Sequence, residues 1–140
     1  MKQPEYTINR MNALIVKEPW ATMIVTGEKT LELRTMRTKK IGKEIYIAKA
    51  GTKTLIGKVT IEKCRPLTND EYHLFEYKHK AKGIYPNRKV YGWFLTNPTQ
   101  FKQPISYIHP QGAQIWVKLD PQTLCNNQAT TIPSIAPMNS

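Results

Sequence analysis

At 140 residues, 40 % of them hydrophobic, the chain has the length of one ordinary domain and enough apolar residues to bury a core without disulfide or metal staples. Its 21 Lys and Arg against 10 Asp and Glu leave a formal charge of +11, an excess that favours contact with phosphates or anionic surfaces. The longest apolar run near the start, Ala13 to Val16, is far short of a signal-peptide core or a spanning helix, so membrane roles are set aside and the cytoplasm is the expected compartment.

The chain begins with a polar, unpatterned arm over residues 1–11. Ala13 to Lys17 reads as a short buried strand, and Pro19 suits the first turn of a helix, where its missing N–H costs little. Trp20, Met23 and Ile24 then follow at the spacing of one apolar helix face, closed at Gly27, a residue suited to the left-handed cap. Leu31 and Leu33 alternate with Thr30, Glu32 and Arg34, the two-residue period of a half-buried strand with its leucines toward the core. A basic loop over residues 35–43 leads to strands at 44–50 and 55–64, separated by a turn at Gly51. Thr68 and Glu71 have the form of a capping box, predicting a helix to about Lys80. Two further strands, 90–96 and 114–119, flank a long Pro-rich connection over residues 97–112, and the polar stretch 120–140 reads as a disordered tail.

About six strands and two helices result, an α+β chain whose strands lie too close in sequence for repeated helical crossovers. An antiparallel sheet curled into a small barrel over residues 12–119 is the expected architecture.

The charge is concentrated, because residues 29–89 hold 16 of the basic residues and 6 of the acidic ones. Tyr46, Tyr72, Tyr77, Tyr85, Tyr91 and Trp93 stand among or beside these cations, and nucleic-acid sites combine phosphate-binding charge with flat faces for stacking bases. A charged surface around core aromatics would produce the same pattern. Cys64 and Cys125 are far apart in sequence, and His73, His79 and His109 fall into no ligand spacing, so no metal and no cofactor are expected.

Glu32 and Arg34 are two apart on a predicted strand, so their side chains leave the same face, with Lys29 at the helix–strand junction able to join them. A carboxylate there can accept from a base amino or imino group while the cations hold phosphate or carbonyl oxygens. Spacing alone equally describes a lateral Glu32–Arg34 ion pair with Lys29 in solvent.

Gly27, Lys29, Glu32 and Arg34 stand in the Gly-x-Lys-x-x-Glu-x-Arg pattern that is the hallmark of the ASCH domain, and the chain resembles that family more widely. Glu18-Pro19-Trp20, Leu55 to Val59, Tyr91-Gly92-Trp93, Asn97-Pro98, Pro104-Ile105 and Tyr107 are similar to the corresponding stretches of bacterial and phage-type members. The resemblance implies a β-barrel similar to the PUA fold, a cleft beside the motif, and a role in binding RNA or nucleotides through Lys29, Glu32 and Arg34. Among the aromatic residues, Trp93 and Tyr46 are candidate ligand contacts, with filling of the barrel core as the alternative for each.

Some ASCH proteins are amidohydrolases of acetylated cytidine, in which the motif Lys works with a Thr three positions later; this chain has Glu32 there, and a carboxylate acts as base or ligand contact instead. Others are reported as ribonucleases, a chemistry in which Lys29 would stabilise developing phosphate charge while Glu32 or a tyrosine such as Tyr46, Tyr91 or Tyr107 moves the proton. If the protein is an enzyme, Lys29 and Glu32 are the expected catalytic pair. A protein-interaction module in transcription is the remaining alternative.

Overall fold

The computed structural model describes residues 11–83 and 86–119. The tail expected from Asp120, and the arm apart from Met11, lie outside the described residues, as does Cys125.

Six strands form one sheet: β1 (Asn12–Val16), β2 (Leu31–Arg34), β3 (Glu44–Lys49), β4 (Thr54–Leu67), β5 (Val90–Ser106) and β6 (Trp116–Lys118), in the order β2-β5-β4-β3-β1-β6. Three short helices accompany them, α1 (Trp20–Thr26), α2 (Asn69–Leu74) and α3 (Glu76–His79). The α+β class and the six strands agree with the sequence reading, but the sheet is mixed. β1 runs parallel to β3, with Ala13 opposite Tyr46 and Leu14 opposite Ile47. The chain segment between them, containing α1 and β2, supplies the crossover a parallel pair needs. The ladder is also not closed between its edge strands β2 and β6, so barrel describes its curvature rather than its hydrogen bonding.

The long connection expected over residues 97–112 is instead mostly strand. β5 continues to Ser106 against β4, and neither Pro98 nor Pro104 has a register partner there. The ladder accommodates them by slipping register three times, while Asn97 takes a left-handed φ of 54°. A backbone this irregular leaves no clean two-residue alternation for a sequence pattern to reveal.

The helix expected from Thr68 to Lys80 starts as read. Thr68 Oγ1 accepts from the Glu71 N–H at 3.1 Å, and the Glu71 carboxylate accepts from the Thr68 N–H at 3.0 Å. It then breaks at Phe75, giving two short helices, with Phe75 packed edge-on against Phe94 and His79 fully buried.

α1 lies against the middle of the sheet. Ala21, Ile24 and Val25 are its buried face, so Trp20 and Met23 sit further toward the rim than their spacing suggested. Gly27 caps the helix with φ 88°, as expected, its N–H donating to Ile24 O. Gly57 permits the close approach of α1 to the sheet, since a Cβ there would stand 2.2 Å from the Thr99 carbonyl oxygen and 2.6 Å from Val25. Around this contact Leu14, Val16, Ile45, Ile47, Val59, Ile61, Trp93 and Leu95 make the main core. A second cluster, including Ala13, Ala48, Leu55, Phe101, Ile105 and Tyr107, fills the other side.

Candidate functional site at the open seam

Between the edge strand β2 and the C-terminal end of β1 lies a cleft of about 630 Å³. Ile15, Val16 and Lys17 line one wall and Glu32 to Thr35 the other, with Trp20, Lys29, Ala50, Ala81 and Gln114 completing it. Arg34 spans the gap, because its Nη2 donates to the Ile15 carbonyl at 3.1 Å. A side chain thus links β2 to β1, two strands that are not neighbours in the ladder.

The motif residues form one chain of contacts. Arg34 Nε donates to Glu32 Oε2 at 2.7 Å, and Lys29 Nζ stands 3.5 Å from Glu32 Oε1. The lateral Glu32–Arg34 pair is therefore real, but Lys29 is not in solvent: it is 3 % exposed and Glu32 6 %. Lys29 Nζ also donates to the His79 carbonyl, and the Thr30 N–H donates to the Lys78 carbonyl at 3.0 Å. The end of α3 thus takes hydrogen bonds from the start of the motif strand, where its last carbonyls would otherwise lack partners.

Burial pushes the Lys29 ammonium below the ordinary lysine value, with the Glu32 carboxylate opposing the shift. His79 fixes the carbonyl that receives Lys29. Its Nδ1 accepts from the Ala81 N–H at 3.0 Å, leaving Nε2 to donate to the Tyr72 carbonyl at 2.7 Å, and its ring stacks on Tyr72. That arrangement holds the neutral imidazole, and burial correspondingly lowers its pKa.

Of the five residues singled out in the sequence, Lys29, Glu32 and Arg34 meet at the cleft, and two do not. Trp93 is fully buried, its indole N–H donating to the Met36 carbonyl at 3.0 Å and its ring stacked on Trp116. It supports the motif from behind, directly opposite Glu32 in the β2–β5 register and with the Arg34 guanidinium 5.8 Å from its ring centre, but it offers no open face to a ligand. Tyr46 belongs to the second cluster, packed against Phe101, and lines no part of the cleft. Both sit among basic residues in sequence, which placed them near charge without showing which side of the sheet they face.

Lys17, Trp20 and Gln114 are the cleft residues the sequence reading missed. Trp20 was assigned to the core from its helical spacing, yet it is half-buried and supplies the cleft's aromatic wall. The Glu18-Pro19-Trp20 resemblance was the available signal. Gln114 comes from the segment before β6, for which no local pattern exists. Among the described residues no three His, Cys, Asp or Glu side chains gather as a metal site, and no helix is long and apolar enough to cross a membrane.

A curled mixed sheet with a charged seam between β2 and the end of β1 defines a small α+β domain built around a side cleft. The sequence matches the ASCH domain family over residues 14–105, and the protein belongs to that family. Among solved structures, the ASCH protein of Zymomonas mobilis has the same fold with a TM-score of 0.67 at 17 % identity, covering 91 % of this chain and 96 % of that one. A Tyr-to-Phe variant of that protein is similar at a TM-score of 0.68 and 16 % identity, covering 88 % of this chain and 98 % of that one. No functionally curated protein matches the sequence.

Proposed function

We propose that the seam cleft binds RNA or a nucleotide, with Lys29, Glu32 and Arg34 as its polar floor. The observation that carries this reading is the buried Lys29–Glu32–Arg34 chain at the base of a cleft that also presents Lys17 and the half-buried ring of Trp20. Arg34 uses Nε and one hydrogen of Nη2 on protein acceptors, so Nη1 and the second Nη2 hydrogen have no protein partner among the described residues. These remaining donors and the Lys17 ammonium suit phosphate or carbonyl oxygens, Trp20 suits the flat face of a base, and Gln114 can exchange hydrogen bonds with a base edge. The surrounding formal charge supports phosphate attraction at long range.

The test is fluorescence anisotropy with a labelled single-stranded RNA across a series of salt concentrations. Affinity is expected to fall steeply with salt, as it does when phosphates release counterions to Lys and Arg, and to drop in Lys17→Ala and Trp20→Ala variants that remain folded. Failure to bind at any salt concentration would overturn the reading.

One observation favours hydrolysis as a second reading. Lys29 Nζ and Glu32 Oε1 stand 3.5 Å apart at the floor of the cleft, a cation able to stabilise developing charge beside a carboxylate able to act as a base. Turnover of acetylated cytidine or RNA that disappears in Lys29→Ala, with an unchanged circular-dichroism spectrum, is the expected result on this reading. Absence of turnover across both substrates would discard it.

A further inference from the structure

The motif strand does not end at the seam. Along β2 and its neighbour β5, Glu32 stands opposite Trp93 and Arg34 opposite Tyr91, and the chain then continues into the basic loop with Met36 and Arg37. Thr35 lines the seam cleft, while Arg37 lines a second, smaller cleft of about 210 Å³ together with Cys64, Arg65 and Tyr91. Met36 alone separates the two linings in sequence, and its backbone is held in place by the hydrogen bond from Trp93.

The second cleft contains a mounted guanidinium. Arg37 lies with its central carbon 5.6 Å from the centre of the Tyr91 ring, and its Nε approaches the Tyr91 hydroxyl at 3.5 Å. Tyr91 is half-buried while Arg37 is exposed, so the tyrosine backs a guanidinium that stands open to solvent. Arg37 has no carboxylate partner among the described residues. Arg65, by contrast, is held by Glu71 at 2.9 Å and is partly neutralised, so it shapes the rim more than it attracts an anion.

We propose that the Arg37–Tyr91 cleft is a second nucleotide subsite, so that the ligand of this protein is a single-stranded RNA spanning both clefts rather than a free nucleoside or mononucleotide. A base stacks on the exposed Arg37 guanidinium, and the guanidinium N–H groups hold the phosphate between this nucleotide and the one in the seam. Thr35 in the lining of the seam and Arg37 in the lining of the second cleft are two residues apart in sequence, so the two clefts are neighbours along one segment of chain. The proposal rests on the RNA reading of the seam cleft and adds the length and direction of the ligand to it.

The experiment compares a nucleoside 5′-monophosphate with single-stranded RNA trimers and pentamers, measured by calorimetry and by competition against a labelled pentamer. Affinity is expected to rise at least about tenfold from monophosphate to trimer and little beyond it. Arg37→Ala, at an exposed position, is expected to remove most of that rise and to lower the salt dependence of pentamer binding by roughly one phosphate contact. Equal affinities for monophosphate and trimer, or an Arg37→Ala variant that binds the trimer as the parent does, overturns the second subsite while leaving the seam reading intact. Failure of both the monophosphate and the RNAs to bind overturns the seam reading, and this one falls with it.

Discussion

The two sides of the sheet bury their residues by different rules. On one side Ala13, Ala48, Leu55, Phe101, Ile105 and Tyr107 close over one another as an apolar cluster. On the other, the core of Leu14, Ile24, Ile47, Val59 and Trp93 runs up to the seam, where the buried Lys29, Glu32 and His79 are found. Apolar burial returns free energy without needing a partner, whereas a buried charge is tolerated only when another group satisfies it. The first side therefore maintains the fold, and the second gives up part of its stability to hold ionised groups beside an open cleft.

The largest way to break this contrast is to unbalance the charged side. Glu32→Ala leaves Lys29 and Arg34 partly buried without their carboxylate, and the expected loss is about 3 to 5 kcal/mol, read as a lower urea midpoint. Lys29→Met is expected to cost much less, because Glu32 keeps its 2.7 Å bond to Arg34 and a straight apolar chain replaces a desolvated ammonium. Both variants should lose RNA binding. If Glu32→Ala is no more destabilising than Lys29→Met, the carboxylate is not what makes the buried cations tolerable.

Phe101→Ala tests the opposite side. Removing a ring that packs against Tyr46 in a closed cluster is expected to cost about 3 kcal/mol while leaving RNA affinity unchanged under conditions where the variant is folded. A matched loss of affinity would mean that the two sides are coupled and the contrast is false.

How much of this was legible in the sequence follows the same division. Two local devices were readable, since the chemistry of the Gly27 cap and of the Thr68–Glu71 box is written in neighbouring residues. The break at Phe75 and the extension of β5 through Pro98 were not, because both depend on partners distant in sequence, Phe94 for one and β4 for the other. At the site, the motif pattern identified Lys29, Glu32 and Arg34, but alternation predicted that the Glu32 face would be open. Glu32 is buried because the curl of the sheet brings β1 across to Arg34, a contact between residues 15 and 34 that periodicity cannot express. The same curl gives Trp20 a cleft to line and denies one to Trp93.

His79 sharpens the contrast through pH. Its folded-state pKa lies below the 6.5 of a free imidazole, mainly through burial and against the hydrogen bond to the Tyr72 carbonyl, with Lys29, His73 and Glu76 as its charged neighbours. The neutral ring's contribution to stability is thus fully present above about pH 6.5 and is lost as pH falls, because the unfolded chain takes up a proton that the folded protein refuses. Below that point the expected loss is up to about 1.4 kcal/mol per pH unit until the folded-state pKa is reached. Urea titrations at several pH values should show this slope, and His79→Gln should flatten it by one proton. An unchanged slope in the variant would mean that the acid sensitivity arises elsewhere.

The smallest expected effect is the most direct check on which side of the sheet is functional. Tyr46 was a candidate both for ligand contact and for proton transfer, and partial burial of this half-buried residue raises its phenol pKa. Its hydroxyl makes no hydrogen bond among the described residues, however, and its ring is engaged with Phe101 across the closed cluster. Tyr46→Phe keeps that packing and removes only an oxygen with no protein partner, so stability should move by less than about 0.5 kcal/mol and RNA affinity or turnover should not change. A tenfold loss of either with the urea midpoint held constant would put a ligand against the phenol. The closed side of the sheet would then open in solution, and the division between a structural and a functional face would have to be abandoned.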